Sequence, residues 1–316
     1  MESSIKQTKK WKGVGIGLLA LAVLVVAVVI RIETKGSRRN QAVFQSPAEA
    51  GAALVKAARS ANEAEVDKIL GADTRILLST GDRRSDQAAL QAFASKYDKM
   101  NRWVDMNDGS AVLYIGADNF AFPVPLAKNA SGKWYFDAVA GAAEVRARNI
   151  GRNELLAIYA CSALAGAQEA YFAYRGDSGE YAQRIISSSG KQDGLYWPAS
   201  ENESSSPLAN LSEFPRSSLA SLSPTEPLVI DGYSLRVLTA QGNDAPGGAK
   251  SYVANGKMTG GFAILATPVR YGETGIMTFM TGRDGVVYER DLGPDTATIA
   301  AYIQEFNPTD DWSPVE

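Results

Sequence analysis

The chain of 316 residues contains no histidine and a single cysteine, Cys161. Without histidine it lacks the side chain that most often serves as general base, metal ligand and switch near neutral pH. With one cysteine it can form no intrachain disulfide, no CxxC redox pair and no cysteine-based zinc site. Cys161 lies in the apolar run LLAIYACSALAGA, where it is expected as a buried small hydrophobe, because catalytic cysteines usually rely on a histidine partner. Signature loops are missing too: no GxSxG elbow, no Walker loop and no GxGxxG after a strand. The sequence therefore points to no cofactor and no metal site, and leans away from an enzyme.

What is present belongs to a folded chain. Hydrophobic residues make up 45% and charged residues 21%, and the length suggests two domains. The charge is unevenly placed. Residues 1–39 carry an excess of six positive charges, so the net charge of −3 leaves the remainder at −9. An acidic body of this kind is a poor partner for nucleic acid.

Residues 13–30 (GVGIGLLALAVLVVAVVI) are uncharged and apolar. As a helix, eighteen residues span about 27 Å, close to a hydrocarbon core of about 30 Å. Lys12 and Arg31 can snorkel from the two ends and Trp11 can lie in the interface. A cleaved signal peptide is the alternative, but no small-x-small site follows the run. The expected partner is thus the lipid bilayer, through a single-pass anchor at 13–30 with a cytoplasmic tail at 1–12. A linker at 31–44 leads to an exported body, and secretion after cleavage is the alternative.

The body is expected to be α+β. Ser46, Pro47 and Glu49 make an N-cap, an N1 proline and a capping box for a first helix. EAEVDKILG is a second helix, and SDQAALQAFASKYDKM a third, with Leu90, Phe93, Ala94 and Tyr97 at helical spacing. GSAVLYIGA, NFAFPVPLAK and KWYFDAVAG then read as a three-stranded meander, separated by turn residues. A helices-plus-meander unit is expected at 45–140 and a second α+β unit at 141–316. The second opens on a helix from Ala142 to Tyr174, with Leu155, Ile158, Tyr159, Ser162, Ala163, Gly166 and Ala170 along one side. A long exposed loop is expected at 199–228, then four strands, then a helix after Asp295.

Two groups of residues are candidates for a site. In the first unit Trp103, Trp134, Tyr135 and Asp137 would face a ligand if the meander and helices enclosed a pocket; Trp103 and Trp134 equally suit a filled core. In the second unit Asp177, Glu180, Asp284, Glu289 and Asp291 could contact a cation or a partner. Structural roles account for most of these acids. GIMTFMT-GRDG-VVYERD reads as a β-hairpin whose loop uses Asp284 as a turn acceptor and Gly285 at positive φ. Glu289 and Asp291 fall on one face of its second strand, and Asp295 suits a helix cap.

Several longer stretches carry a resemblance. IGRNELLAIYACSALAGAQEAYFAY, EYAQRIISSSGKQDGLYWP, GYSLRVLTAQG, YVANGKMTGGFAILATPVRYGETGIMTFMTGRDGVVYERDLGPDT and FNPTDDWSPV resemble the bacterial family called domain of unknown function 2950, over about residues 45–316. The resemblance implies an exported envelope protein, with no catalytic residues or cofactor to transfer. The second half is also similar to the globular domains of type IV pilins and type II secretion pseudopilins, in which a helix packs on an antiparallel sheet ending in such a hairpin. The likeness stops short of filament assembly, because the apolar run is far upstream and lacks a Gly-Phe processing site. The first unit looks like the nuclear-transport-factor-2-like cone, in architecture only. Together these imply a membrane-anchored envelope protein that binds or scaffolds another envelope component. The alternative is a small-ligand-binding or hydrolytic protein using a pocket in the cone-like unit.

Overall fold

The computed structural model describes residues 40–71, 82–198, 205–210 and 223–315. The apolar run 13–30 lies outside them, together with the tail and most of the linker. Among the described residues no helix is long and apolar enough to cross a membrane. The protein is α+β, with antiparallel sheets and one long helix, and divides into two compact units between Val145 and Arg146.

In the first unit, α1 (Pro47–Arg59) starts where its caps dictate. The Ser46 hydroxyl accepts from Glu49 N–H, and Glu49 reaches back to the N–H of Gln45, one residue before the cap, at 2.7 Å. The short helix α2 (Glu63–Leu70) is capped by Asn62. The next helix, α3 (Arg83–Lys99), begins before the expected Ser85, because the Asp82 carboxylate accepts the N–H groups of Arg84 and Ser85.

The expected three-stranded meander has five strands: β1 (Asn101–Asp105), β2 (Ala111–Ile115), β3 (Phe120–Ala121), β4 (Leu126–Lys128) and β5 (Trp134–Phe136). The unexpected β1 follows α3 almost directly, with no glycine or proline to announce it, and pairs antiparallel with β2, Trp103 opposite Leu113. Phe44 bridges Trp134 at the other edge through N–H to carbonyl bonds of 2.8 Å in both directions. The core gathers Leu54, Ile69, Leu70, Leu126, Trp134 and Phe136, with Phe93, Trp103 and Phe122 packed against it.

The helix α4 (Ala138–Arg175) begins four residues before the expected Ala142, because Asp137 Oδ1 accepts the N–H groups of Val139 and Ala140. In the second unit its packing side is Ala157, Ala160, Cys161, Leu164, Ala167 and Tyr171. The side expected to group Leu155, Tyr159, Ser162, Gly166 and Ala170 faces solvent at those positions, with Leu155 58% and Tyr159 64% exposed. Ile158 and Ala163, beside that stripe, do pack on the core. The reason is the sheet beneath, which small alanines let the helix approach closely.

That sheet is formed by β6 (Leu228–Ile230), β7 (Tyr233–Leu238), β12 (Ala263–Pro268), β13 (Met277–Gly282), β14 (Val287–Asp291) and β15 (Ser313–Pro314), in the order β15-β14-β13-β12-β7-β6 and antiparallel throughout. Between its strands lie β8 (Ala240–Gln241) paired with β9 (Lys250–Ser251), and β10 (Val253–Ala254) paired with β11 (Lys257–Met258). Along β12, Ile264 and Ala266 join the α4 core, while Ala263 and Leu265 pack with Phe262, Met280, Phe306 and Trp312. Burial on both faces is why this strand reads as a continuous apolar run.

The β13–β14 hairpin forms as expected: Asp284 Oδ1 accepts from Val286 N–H, and Gly285 adopts φ +76°. A last helix, α5 (Thr296–Tyr302), follows Asp295, but the Asp295 carboxylate makes no cap bond. Its backbone carbonyl accepts from Thr298 and Ile299 instead. Of the loop expected at 199–228, residues 199–204 and 211–222 lie outside the described residues. Within the piece between them Ser206 and Leu208 are fully buried, and Leu208 N–H bonds to Leu195 O. One anchoring leucine leaves no periodicity, which is why the sequence reads as loop there.

Candidate functional site

The sequence-derived candidates of the first unit lie in its core or at the start of α4. Trp134, Tyr135 and Phe136 are buried in β5, and Asp137 caps α4. Trp103 packs on the core with its ring centroid 6.4 Å from that of Phe136, and its buried Nε1 has no hydrogen-bond partner among the described residues. Aromatic rings fill the interior: Phe93 meets Phe122 at 5.2 Å, and Phe122 and Phe44 meet Phe136 edge-on at 6.2 and 6.5 Å.

The acids of the second unit separate. Asp284 serves the hairpin turn. Asp291 accepts from Gly293 N–H at 2.8 Å and from the Tyr271 hydroxyl at 3.3 Å, beside a shallow cavity of about 300 Å³ between β14 and α5. Glu289 is shifted upward, by burial and then by the carboxylate of Glu154. Glu154 is itself engaged, accepting the N–H groups of Ile276 and Met277 at 2.8 and 3.0 Å. Asp177 lies in the short 3-10 turn Gly176–Ser178 that ends α4. Cys161 is fully buried, which pushes its thiol up to about 12. Among the described residues no three acids or cysteines stand close enough together to hold a metal ion.

Glu180 alone belongs to a larger assembly. It lies in a groove of about 640 Å³ walled by the last turn of α4 at Tyr171 and Arg175, by residues 180–184 and 190–193, and by the turn at Gly256. Two devices build these walls. The fully buried Gln168 of α4 binds both backbone groups of Ala182, donating to its carbonyl at 2.7 Å and accepting its N–H at 2.8 Å. Tyr181 N–H then donates to Met258 O at 2.7 Å, which brings β11 and Lys257 beside Glu180.

The polar groups of the groove are tied to one another. Glu180, its side chain 12% exposed, accepts from Arg175 Nε at 2.7 Å and has Lys257 Nζ 3.9 Å away. Burial works to lower the Arg175 guanidinium, but the hydrogen bond to Glu180 and the neighbouring Tyr171 and Glu180 outweigh it and raise it. Asp193 takes the Ser188 N–H at 2.7 Å and the Ser188 hydroxyl at 2.9 Å, with Arg184 at 4.0 Å. Burial pushes that carboxyl up, but these partners hold it below its ordinary value. The phenol of Tyr171, raised by burial, donates to Gln192 O at 2.9 Å. Lys191 is exposed at the rim, and its ammonium has no partner among the described residues.

The arrangement offers cations, amides and hydroxyls to a polar guest. Arg175, Arg184, Lys191, Asp193 and Lys257 escaped the sequence reading. The only signal for Arg184, Lys191 and Asp193 was a scatter of charge in EYAQRIISSSGKQDG, with no spacing that names a chemistry, and Arg175 and Lys257 lie outside that stretch.

No curated protein and no solved structure matches the chain. A family model described as a protein of unknown function (DUF2950) matches residues 41–315, so the chain belongs to that family.

Proposed function

We propose that this protein is a bacterial envelope protein, anchored in the inner membrane through residues 13–30, whose exported body is a non-enzymatic binding module for another envelope component. The carrying observation is the groove of the second unit, a preformed polar cleft whose two carboxylates, Glu180 and Asp193, are each held by cations or N–H groups. Groups engaged in this way recognise a ligand better than they move protons, because a general base needs a free lone pair aimed at its substrate. The aromatic filling of the first unit supports the same choice, since Trp103 and Trp134 belong to a core packed with Phe93, Phe122 and Phe136. The acidic body and the apolar run near the start support an exported, tethered arrangement. The resemblance of the second unit's sequence to pilin globular domains supports a role in assembly with other envelope proteins.

The test is a pull-down from envelope extract with a soluble body comprising residues 40–316. A specifically retained envelope component that is lost with Arg184→Glu and Lys191→Glu supports the reading. Turnover of a small substrate with nothing retained would reverse it in favour of a hydrolytic protein.

A further inference from the structure

The groove differs in charge from the body around it. Arg175, Arg184, Lys191 and Lys257 stand around two carboxylates, Glu180 and Asp193, on a body whose net charge is −9. Glu180 is satisfied by Arg175 at 2.7 Å, and Asp193 mainly by the N–H and hydroxyl of Ser188, so neither needs a further cation. The surplus positive charge is therefore carried at one end of the groove. There the Lys191 ammonium has no partner among the described residues, and Arg184 Nη1 donates to the Ser188 hydroxyl at 2.9 Å while lying 4.0 Å from Asp193.

Among the described residues no aliphatic side chain lines the groove, and its two tyrosines, Tyr171 and Tyr181, are themselves buried. What they present with Gln183 and Gln192 is amide, hydroxyl and main-chain polarity. A volume of about 640 Å³ accommodates a small molecule. A guest that fits must be hydrophilic over its whole surface and carry negative charge at one end.

We infer that the groove binds a small sugar-like polyol bearing an oxyanion, a carboxylate or a phosphate, with the anion on Lys191 and Arg184 and the hydroxyl-rich body between Gln183 and Gln192. This rests on the binding reading above and names the chemistry of the ligand. Arginine and lysine divide the work, the fork of Arg184 orienting the oxyanion and Lys191 closing on it as a point charge. The Arg175–Glu180 pair keeps that part of the groove polar and is not disturbed by the ligand, which competes for Arg184 only with its 4.0 Å contact to Asp193.

The experiment uses the full chain in detergent micelles and isothermal titration calorimetry with three probes: glucuronate, glucose 6-phosphate and glucose. Expected is binding of at least one anionic sugar with glucose silent, and an affinity that falls as salt is raised. Lys191→Gln, an exposed site whose change leaves the melting temperature in place, should weaken that binding about tenfold, as expected when a charge-assisted contact becomes a neutral one. The carboxylate and phosphate arms identify which oxyanion the site prefers. Equal binding of glucose and the anions, binding indifferent to Lys191→Gln, or no binding of either anion overturns the assignment. A pull-down that still retains an envelope component in the last case leaves the binding module standing without this ligand; a pull-down that fails while an anionic sugar binds leaves the ligand and removes the partner.

Discussion

Glu289 is the residue whose environment makes the clearest demand on pH. Burial, and then the carboxylate of Glu154, raise its carboxyl above the ordinary value. In the window above that ordinary value the folded chain keeps a proton that the unfolded chain has released. The native state then binds more protons, so this group's contribution to stability is full in acid and is lost as pH rises through the folded value. Glu289→Gln removes the penalty. Its urea midpoint should exceed that of the wild type at about pH 7 and converge on it at about pH 4. A gain of equal size at both would place the effect in packing. The sequence located Glu289 correctly on its strand, with Asp284 in the turn, because hairpin chemistry is written within a few residues. Its pairing with Glu154 was invisible, since the helix that supplies Glu154 meets β13 only through tertiary packing.

At the scale of elements, local signals and long-range ones parted in the same way. The caps at Ser46, the β13–β14 loop and the helical character of α4 were all legible, as each depends on neighbours in the chain. Which side of α4 packs was not, because Leu155 and Tyr159 look more apolar than the alanines that meet the sheet, and the 3.6-residue period fits either side. The groove is the extreme case. Its walls come from four separated stretches, joined by Gln168 and by the bridge from Tyr181 to Met258.

Gln168→Leu leaves the buried N–H and carbonyl of Ala182 unpaired, at about 1–3 kcal/mol for each group. Expected is a fall in the urea midpoint with an unchanged slope, and loss of anionic-sugar binding; a variant as stable as the wild type would show that the segment holds without its amide clamp. Arg236 makes a second element-level device. Its guanidinium, shifted downward by burial, donates to Ala300 O at 3.1 Å and to Ile303 O, the carbonyls that end α5. A cation there also favours the negative end of the helix dipole. Arg236→Met should cost about 1.5–3 kcal/mol, the worth of charge-assisted hydrogen bonds. Hydrogen exchange should quicken over α5 while the amides of β12 keep their protection. Uniform acceleration would mean that the arginine holds the whole unit rather than the one helix.

For the molecule as a whole the governing feature is the contrast between an apolar, basic beginning and an acidic body. An acidic body gains little from an anionic lipid surface, so on the proposed envelope reading retention at the bilayer comes from apolar burial of the run at 13–30. The proposed anchor is then separable from everything that follows it in the chain. A charge near the middle of the run, Leu21→Arg, should cost about 2.5–3.5 kcal/mol of insertion free energy. At about 1.4 kcal/mol per tenfold, the insertion equilibrium constant falls by about a hundredfold. Leu21→Ile, apolar and of equal volume, should change nothing. The measurement is fractionation of cells expressing the full chain, with alkaline carbonate extraction to separate inserted from adherent protein, and protease added outside to report which side the body occupies. Leu21→Arg should move the protein from the extraction-resistant pool, and the wild-type body should be cut by external protease once the outer layers are opened. If the arginine variant stays in the resistant pool, the body is held by a surface of its own, and the stripe at Leu155 and Tyr159 becomes the first place to look for it.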